Sequence, residues 1–131
     1  MLEVAAAIIF NEQGQILIAR RKEGKSLGGM WEFPGGKLET GESPQACIAR
    51  ELQEEMNIAI APGEIYGIND YADETMPLRL IACKAFYKSG KSGEIRLTDH
   101  DEYRWVSRDE LDRFRFAPAD VKFVRMLQQG I

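Results

Sequence analysis

The chain of 131 residues has one histidine, two cysteines and no apolar run long enough to cross a bilayer; a helical span needs about 20 such residues. The lone His100 excludes a multi-histidine metal site and argues against a histidine-based triad. Cys47 and Cys83 stand apart, each inside an apolar pattern, and form neither a CxxC nor a disulfide framework. That usage suits a reducing cytoplasm, the expected compartment. Met1-Leu2-Glu3-Val4 carries no basic region, so no secretory signal is expected. Positive charge is not in excess: 17 Lys and Arg face 21 Asp and Glu, for a net charge of −4. This balance argues against a nucleic-acid polymer or an anionic membrane as partner, since both need a basic surface. There is no internal repeat, low-complexity stretch or linker. With 44% hydrophobic and 29% charged residues, the chain reads as one globular domain over 1–131.

What is present alternates strands with helices, which predicts an α+β fold. Leu2–Phe10 is a nearly continuous apolar run and predicts a buried strand. Asn11-Glu12-Gln13-Gly14 signals a turn, and Gln15–Arg21 predicts a second strand paired with the first. Lys22–Met30, with three glycines, reads as a loop, and Trp31-Glu32-Phe33 as a short extended piece stopped by Pro34-Gly35-Gly36. Ser43 and Pro44 are a helix N-cap and first-turn residue. Ile48, Ala49, Leu52 and Met56 give that helix an apolar side, and Asn57 stands where a left-handed residue ends it. Further strands are predicted at Ile58–Ala61, Glu64–Tyr71, Leu78–Tyr87, Glu94–Leu97 and Tyr103–Val106, with a hairpin loop over Lys88–Gly93. Ser107-Arg108-Asp109-Glu110 is a capping box, and Pro118–Gln129 predicts a final helix.

The first helix carries the chemistry. Glu51, Glu54 and Glu55 stand at i, i+3 and i+4 and share one face. On an exposed helix such like charges repel by roughly 0.2–0.5 kcal/mol per pair. Three glutamates alone read as a solvated acidic face. Their surroundings change that reading. Glu42 precedes the helix, Arg50 can pair with it and hold carboxylates in place, and Gly35 and Gly36 let the backbone approach an ion or phosphate. Clustered hard oxygens are what Mg²⁺ or Mn²⁺ selects, and such ions bridge to substrate phosphates.

Residues 36–58 resemble the Nudix box, G-x5-E-x7-R-E-U-x-E-E-x-G-U with U a bulky aliphatic. Gly36, Glu42, Arg50, Glu51, Leu52, Glu54, Glu55 and Ile58 match it, and Asn57 replaces the last glycine. Asn tolerates the left-handed conformation well, so the turn is expected to survive. The first strands, Trp31–Gly36, Asp99–Val106 and Ala117–Asp120 are similar to the mutator-type branch of Nudix hydrolases, which contains 8-oxo-dGTP pyrophosphatases and CTP pyrophosphohydrolases. The resemblance implies the Nudix α/β/α sandwich, a mixed β-sheet flanked by helices.

It also implies roles. Glu51, Glu54, Glu55 and the Gly35 carbonyl would ligate Mg²⁺, with Mn²⁺ able to substitute, and Glu54 or Glu55 would orient or deprotonate water. Asp99 or Glu102 would complete the site; Asp99 aligns better by its distance from Trp105. The alternative for both is an ordinary acidic turn, in which His100 reads as exposed. Glu42, Arg50 and Gly36 are structural support. Arg21 would contact the nucleotide. Phe33, and Trp31 beside it, would wall the base pocket or else join the core. Tyr71 lies on a strand that could line the opposite wall; Phe86 reads as core. Asp120 would read the base edge, its other reading being a helix N-terminal charge. The implied activity is hydrolysis of a (d)NTP to (d)NMP and pyrophosphate, sanitising the nucleotide pool of 8-oxo-dGTP. The alternatives are CTP, dCTP or 5-methyl-dCTP hydrolysis, then ADP-ribose or dinucleotide hydrolysis, then a non-catalytic nucleotide-sensing module. The expected assembly is a monomer or homodimer.

Overall fold

The computed structural model describes residues 1–72 and 77–131. The elements are β1 (Leu2–Phe10), β2 (Ile16–Arg21), β3 (Trp31–Glu32), β4 (Gly35–Lys37), α1 (Pro44–Met56), β5 (Ile60–Ala72), β6 (Pro77–Tyr87), β7 (His100–Val106) and α2 (Val121–Gln128). Two 3₁₀ segments, Arg108–Arg113 and Pro118–Asp120, lie between β7 and α2. The strands form one mixed sheet in the order β3-β2-β1-β6-β5, with β4 added to β1 and β7 to β2. β1 and β6 run parallel, from Leu2 opposite Leu78 to Phe10 opposite Phe86.

β1 is apolar throughout because it is covered on both faces. Ala5, Ala7 and Ile9 point to one side, where Cys47, Ile48, Leu52 and Met56 of α1 pack. Ala6 and Ile8 point to the other, against Phe123, Val124 and Leu127 of α2. Each buried large aliphatic side chain contributes roughly 1.5–3 kcal/mol. This is the expected sandwich, and it fixes α1 beside β4, the strand that carries Gly35 and Gly36.

Several local expectations are corrected. The predicted strands Ile58–Ala61 and Glu64–Tyr71 merge into one, β5, which starts at Ile60 and whose register shift between Pro62 and Ile65 absorbs the Pro-Gly pair. Proline is tolerated there because β5 is an edge strand. Glu94–Leu97 is not a strand, so Lys88–Gly93 is not a hairpin loop. Arg96 N–H bonds the Met56 carbonyl at 3.0 Å, and Ile95 and Leu97 pack on the core as coil. β2 meets β1 only at Phe10–Ile16 and pairs along its length with β7. The last helix begins at Val121 after a 3₁₀ turn. Phe86 is 52% exposed rather than core.

Candidate active site

Helix α1 is held at both ends by its own residues. The Ser43 hydroxyl accepts from Ala46 N–H at 3.1 Å. Asn57 adopts φ 59°, ψ 36°, and its N–H reaches the Gln53 carbonyl at 3.2 Å. The left-handed turn therefore forms without glycine. Gly36 of β4 serves a different purpose, because a Cβ there would collide with the Glu51 carboxylate. At Gly35 a Cβ would fall on the Ala5 carbonyl oxygen. The two glycines let β4 lie against β1 and under the first glutamate.

Arg50 organises the acidic side chains. Its Nε and Nη2 hold Glu42 in a fork at 2.8 and 2.9 Å, and its Nη1 reaches Glu51 at 2.8 Å. The guanidinium, helped by the Glu39 N–H, draws the Glu42 carboxyl down to about 2. Glu51, Glu55 and Asp99 line one end of a cavity of about 420 Å³. Burial, and then the facing Glu51 and Asp99 carboxyls, push Glu55 well above the usual carboxylate range. Asp99 is held low by Lys25, whose Nζ lies 3.1 Å from its Oδ1.

The other end of the cavity is formed by Phe33, Glu32 and Asp120, with Arg21 bound to Glu32. Arg21 donates to the Ser26 carbonyl at 2.6 Å and to Glu32 at 3.3 and 3.4 Å. Asp120 is buried, and its carboxyl is pushed well above its ordinary value by burial and by the negative Glu32. The Phe33 backbone N–H and Arg21 oppose that rise.

Of the residues read from the sequence, Gly35, Gly36, Glu51, Glu55, Asp99, Arg21, Phe33 and Asp120 meet at this cavity. Glu54, Glu102 and Tyr71 do not line it. The Glu54 side chain is 60% exposed, with an Arg50 contact at 3.5 Å. Glu102 turns outward to Arg104 at 2.6 Å and Arg20 at 3.5 Å. Trp31 is buried in the core against Phe114 rather than in the pocket wall. His100 is not an exposed turn residue: it is 2% exposed and its Nε2 lies 2.8 Å from Glu32 Oε2. Sequence reasoning missed Glu32, a lone acid between two aromatics, and His100, inside a polar string, because the inward direction of each is visible only once the strand pairing is known. That pairing has a bulge, at which the register shifts between Arg20 and Arg21, opposite Glu102 and His100.

The donor set fits a hard divalent cation: carboxylate oxygens, a glycine carbonyl on a strand with no side chain in the way, and like charges that need neutralising. Among the described residues no three His, Cys, Asp or Glu side chains already converge on one coordination point. Arg50 and Lys25 supply the positive charge to them instead.

The profile of the NUDIX domain family matches residues 2–127. The chain is 35% identical over 127 residues to an 8-oxo-dGTP diphosphatase of Haemophilus influenzae, covering 97% of this chain and 91% of the relative. It is 35% identical over 121 residues to a CTP pyrophosphohydrolase of Escherichia coli, covering 92% and 87%. Its fold superposes on the MutT protein of Methanosarcina mazei Go1 with a TM-score of 0.83 at 28% identity, covering 98% of this chain and 94% of that one. A Nudix box set on α1 and β4, a profile matching nearly the whole chain and relatives at this identity lead to one conclusion: the chain belongs to the NUDIX domain family.

Proposed function

We propose that this chain, acting as a single Nudix domain, is a Mg²⁺-dependent nucleoside triphosphate pyrophosphohydrolase. Water attacks the β-phosphorus and the bond to the α-phosphate oxygen breaks, giving a (d)NMP and pyrophosphate. The observation that carries this is the two-ended cavity. Glu51, Glu55 and Asp99 stand at one end with Lys25 bound to Asp99, and an aromatic ring and two acids at the other with Arg21 bound to Glu32. Three acids and two basic side chains along one trough suit a cation-neutralised polyphosphate, while Phe33 offers a face for a base. A bound divalent cation supplies charge neutralisation of the phosphates and polarises their oxygens. Glu51 and Glu55 would hold it with Asp99 and the Gly35 carbonyl. Arg50 fixes Glu51, and Glu55 or the more exposed Glu54 accepts the proton of the attacking water. Arg21 counters phosphate charge, and Asp120 and Glu32 bond the base edge. Free nucleotides of the cytoplasm are the substrates in this reading.

The base is 8-oxoguanine in the first reading, with pool sanitation as the role. A cytosine nucleotide is the second, favoured by the acid at 120, whose oxygens suit an exocyclic amino group as well as a purine N–H. The test is pyrophosphate release with Mg²⁺ from 8-oxo-dGTP, dGTP, CTP, dCTP, 5-methyl-dCTP and ADP-ribose, compared by kcat/KM. A preference for 8-oxo-dGTP of tenfold or more is expected. A preference for cytidine nucleotides moves the assignment to the second reading, and no turnover with Mg²⁺ or Mn²⁺ overturns both.

A further inference from the structure

His100 and Asp120 are the fully buried polar side chains among the described residues, and both line the same cavity. Asp120 has a reading above. His100 has none, and its bonding is unusual. A carboxylate only accepts hydrogen bonds, so the hydrogen of the His100–Glu32 contact belongs to Nε2. The ring's other nitrogen, Nδ1, is buried with no partner among the described residues. Burying a polar nitrogen without a bond is costly, and an apolar ring or chain would fill the same volume without that cost. The one interaction that offsets it is the 2.8 Å bond to Glu32 Oε2.

Glu32 needs that bond to hold a fixed position. Its other side-chain hydrogen bonds among the described residues are the longer ones from Arg21, at 3.3 and 3.4 Å. The side chain is 18% exposed and lines the cavity beside Phe33. Its rotatable bonds otherwise leave such a carboxylate free to turn toward solvent. Held at Oε2, it keeps acceptor capacity on Oε1, at the end of the cavity that Asp120 shares. The β-bulge opposite Arg20 and Arg21 is the backbone device that brings His100 inward while Asp101 pairs with Arg20 on the surface. Bulges beside binding sites commonly re-aim a side chain in this way.

We infer that His100 is a positioning residue for substrate selection: its Nε2–H fixes Glu32 as an acceptor for an N–H-bearing edge of the substrate's base. The inference rests on the nucleotide reading above. Its role is separate from the carboxylate end of the cavity, although Asp99 is its chain neighbour. Loss of His100 therefore weakens base recognition and leaves the cation site intact.

The test is a double-mutant cycle on the preferred nucleotide of the substrate panel, with Mn²⁺ affinity of each protein measured by electron paramagnetic resonance. His100→Leu is expected to raise KM roughly tenfold, with kcat within about twofold and Mn²⁺ affinity unchanged. His100→Gln, which offers an amide N–H in place of Nε2–H, is expected to recover most of the loss. In a Glu32→Ala background, which removes the acceptor of the Nε2–H, His100→Leu should add nothing, because the residue acts through Glu32. Additive effects, a fall in kcat with KM unchanged, loss of Mn²⁺ affinity, or an unaltered KM would each overturn the inference. Should His100→Leu not fold, the shorter and polar His100→Asn takes its place in the cycle. No turnover of any nucleoside triphosphate by the wild-type protein overturns the nucleotide reading itself, whereas normal wild-type turnover with indifferent variants overturns only this inference.

Discussion

At the scale of single residues, the acids in and around the cavity divide by environment. Arg50 holds the Glu42 carboxyl low and favours its ionised form, while burial beside Glu32 raises the Asp120 carboxyl and favours its protonated form. The second has a consequence for stability. The folded state binds the Asp120 proton more tightly than the unfolded chain, whose carboxyl titrates near 3.8. Below that pH both states are protonated and the group is neutral in the balance. As pH rises through it, the unfolded chain releases a proton that the folded chain keeps. Stability then falls with pH, by up to about 1.4 kcal/mol per unit, until the folded group also titrates. Asp120→Asn removes this dependence while keeping the side chain's shape. The difference between variant and wild type should be smallest near pH 4 and should shift in the variant's favour as pH rises above it. Urea unfolding midpoints at several pH values check this, and a constant difference between the two proteins would refute it. Asp120 was visible in the sequence as a candidate, but its burial was not: a charge after Ala117-Pro118-Ala119 also suits an exposed helix start.

At the scale of elements, α1 and its caps were legible because every signal is local. Ser43, Pro44, the apolar stripe and Asn57 lie within 15 residues, and each behaves as its chemistry dictates. Asn57 does more than end the helix. Its side chain bonds Gln53 at 3.2 Å and the Glu94 carbonyl at 3.1 Å, fastening the coil that precedes β7. Asn57→Ala is expected to cost about 1–2 kcal/mol, from left-handed strain and the lost bonds. Asn57→Gly should cost less, since glycine takes the same φ freely. Denaturant unfolding of the two variants checks the order; KM is expected to stay unchanged in both. The elements misread from the sequence are those whose form depends on distant partners. Ile95 and Leu97 alternate as a strand would, yet Arg96 bonds the end of α1 instead of a neighbouring ladder. Pro62-Gly63 looks like a break, yet an edge strand carries it as a bulge. His100 and Glu32 are adjacent through β2, which pairs with both β3 and β7. No local pattern announces that meeting, and so Phe33 and Asp120 were readable in the sequence while Glu32 and His100 beside them were not.

At the scale of the whole molecule, the sheet sets two halves of a site against each other. α1 supplies Glu51 and Glu55 beside the glycines of β4, the segment before β7 supplies Asp99, and the 3₁₀ turn before α2 supplies Asp120. These segments come from the length of the chain and are held together by core on both faces of β1. Among the described residues, no helix is long and apolar enough to cross a membrane, and α1 and α2 each bury their apolar side against the sheet. Bringing like charges together works against folding, since Glu51, Glu55 and Asp99 are farther apart in the unfolded chain and repel less. A divalent cation held by Glu51, Glu55 and Asp99 would bind the folded state and not the unfolded one, and would therefore stabilise it. At a hundredfold excess over its Kd the gain is about 2.7 kcal/mol, which for a domain of this size raises Tm by roughly 8 °C. Calorimetry in Mg²⁺ or Mn²⁺, against NaCl of equal ionic strength, measures it. Glu51→Gln removes a donor while leaving Glu42 in its fork with Arg50, so most of the cation-dependent rise should vanish in that variant. The same rise in wild type and Glu51→Gln would show that the cation binds elsewhere, and no rise in either would remove the metal from the carboxylate end of the cavity.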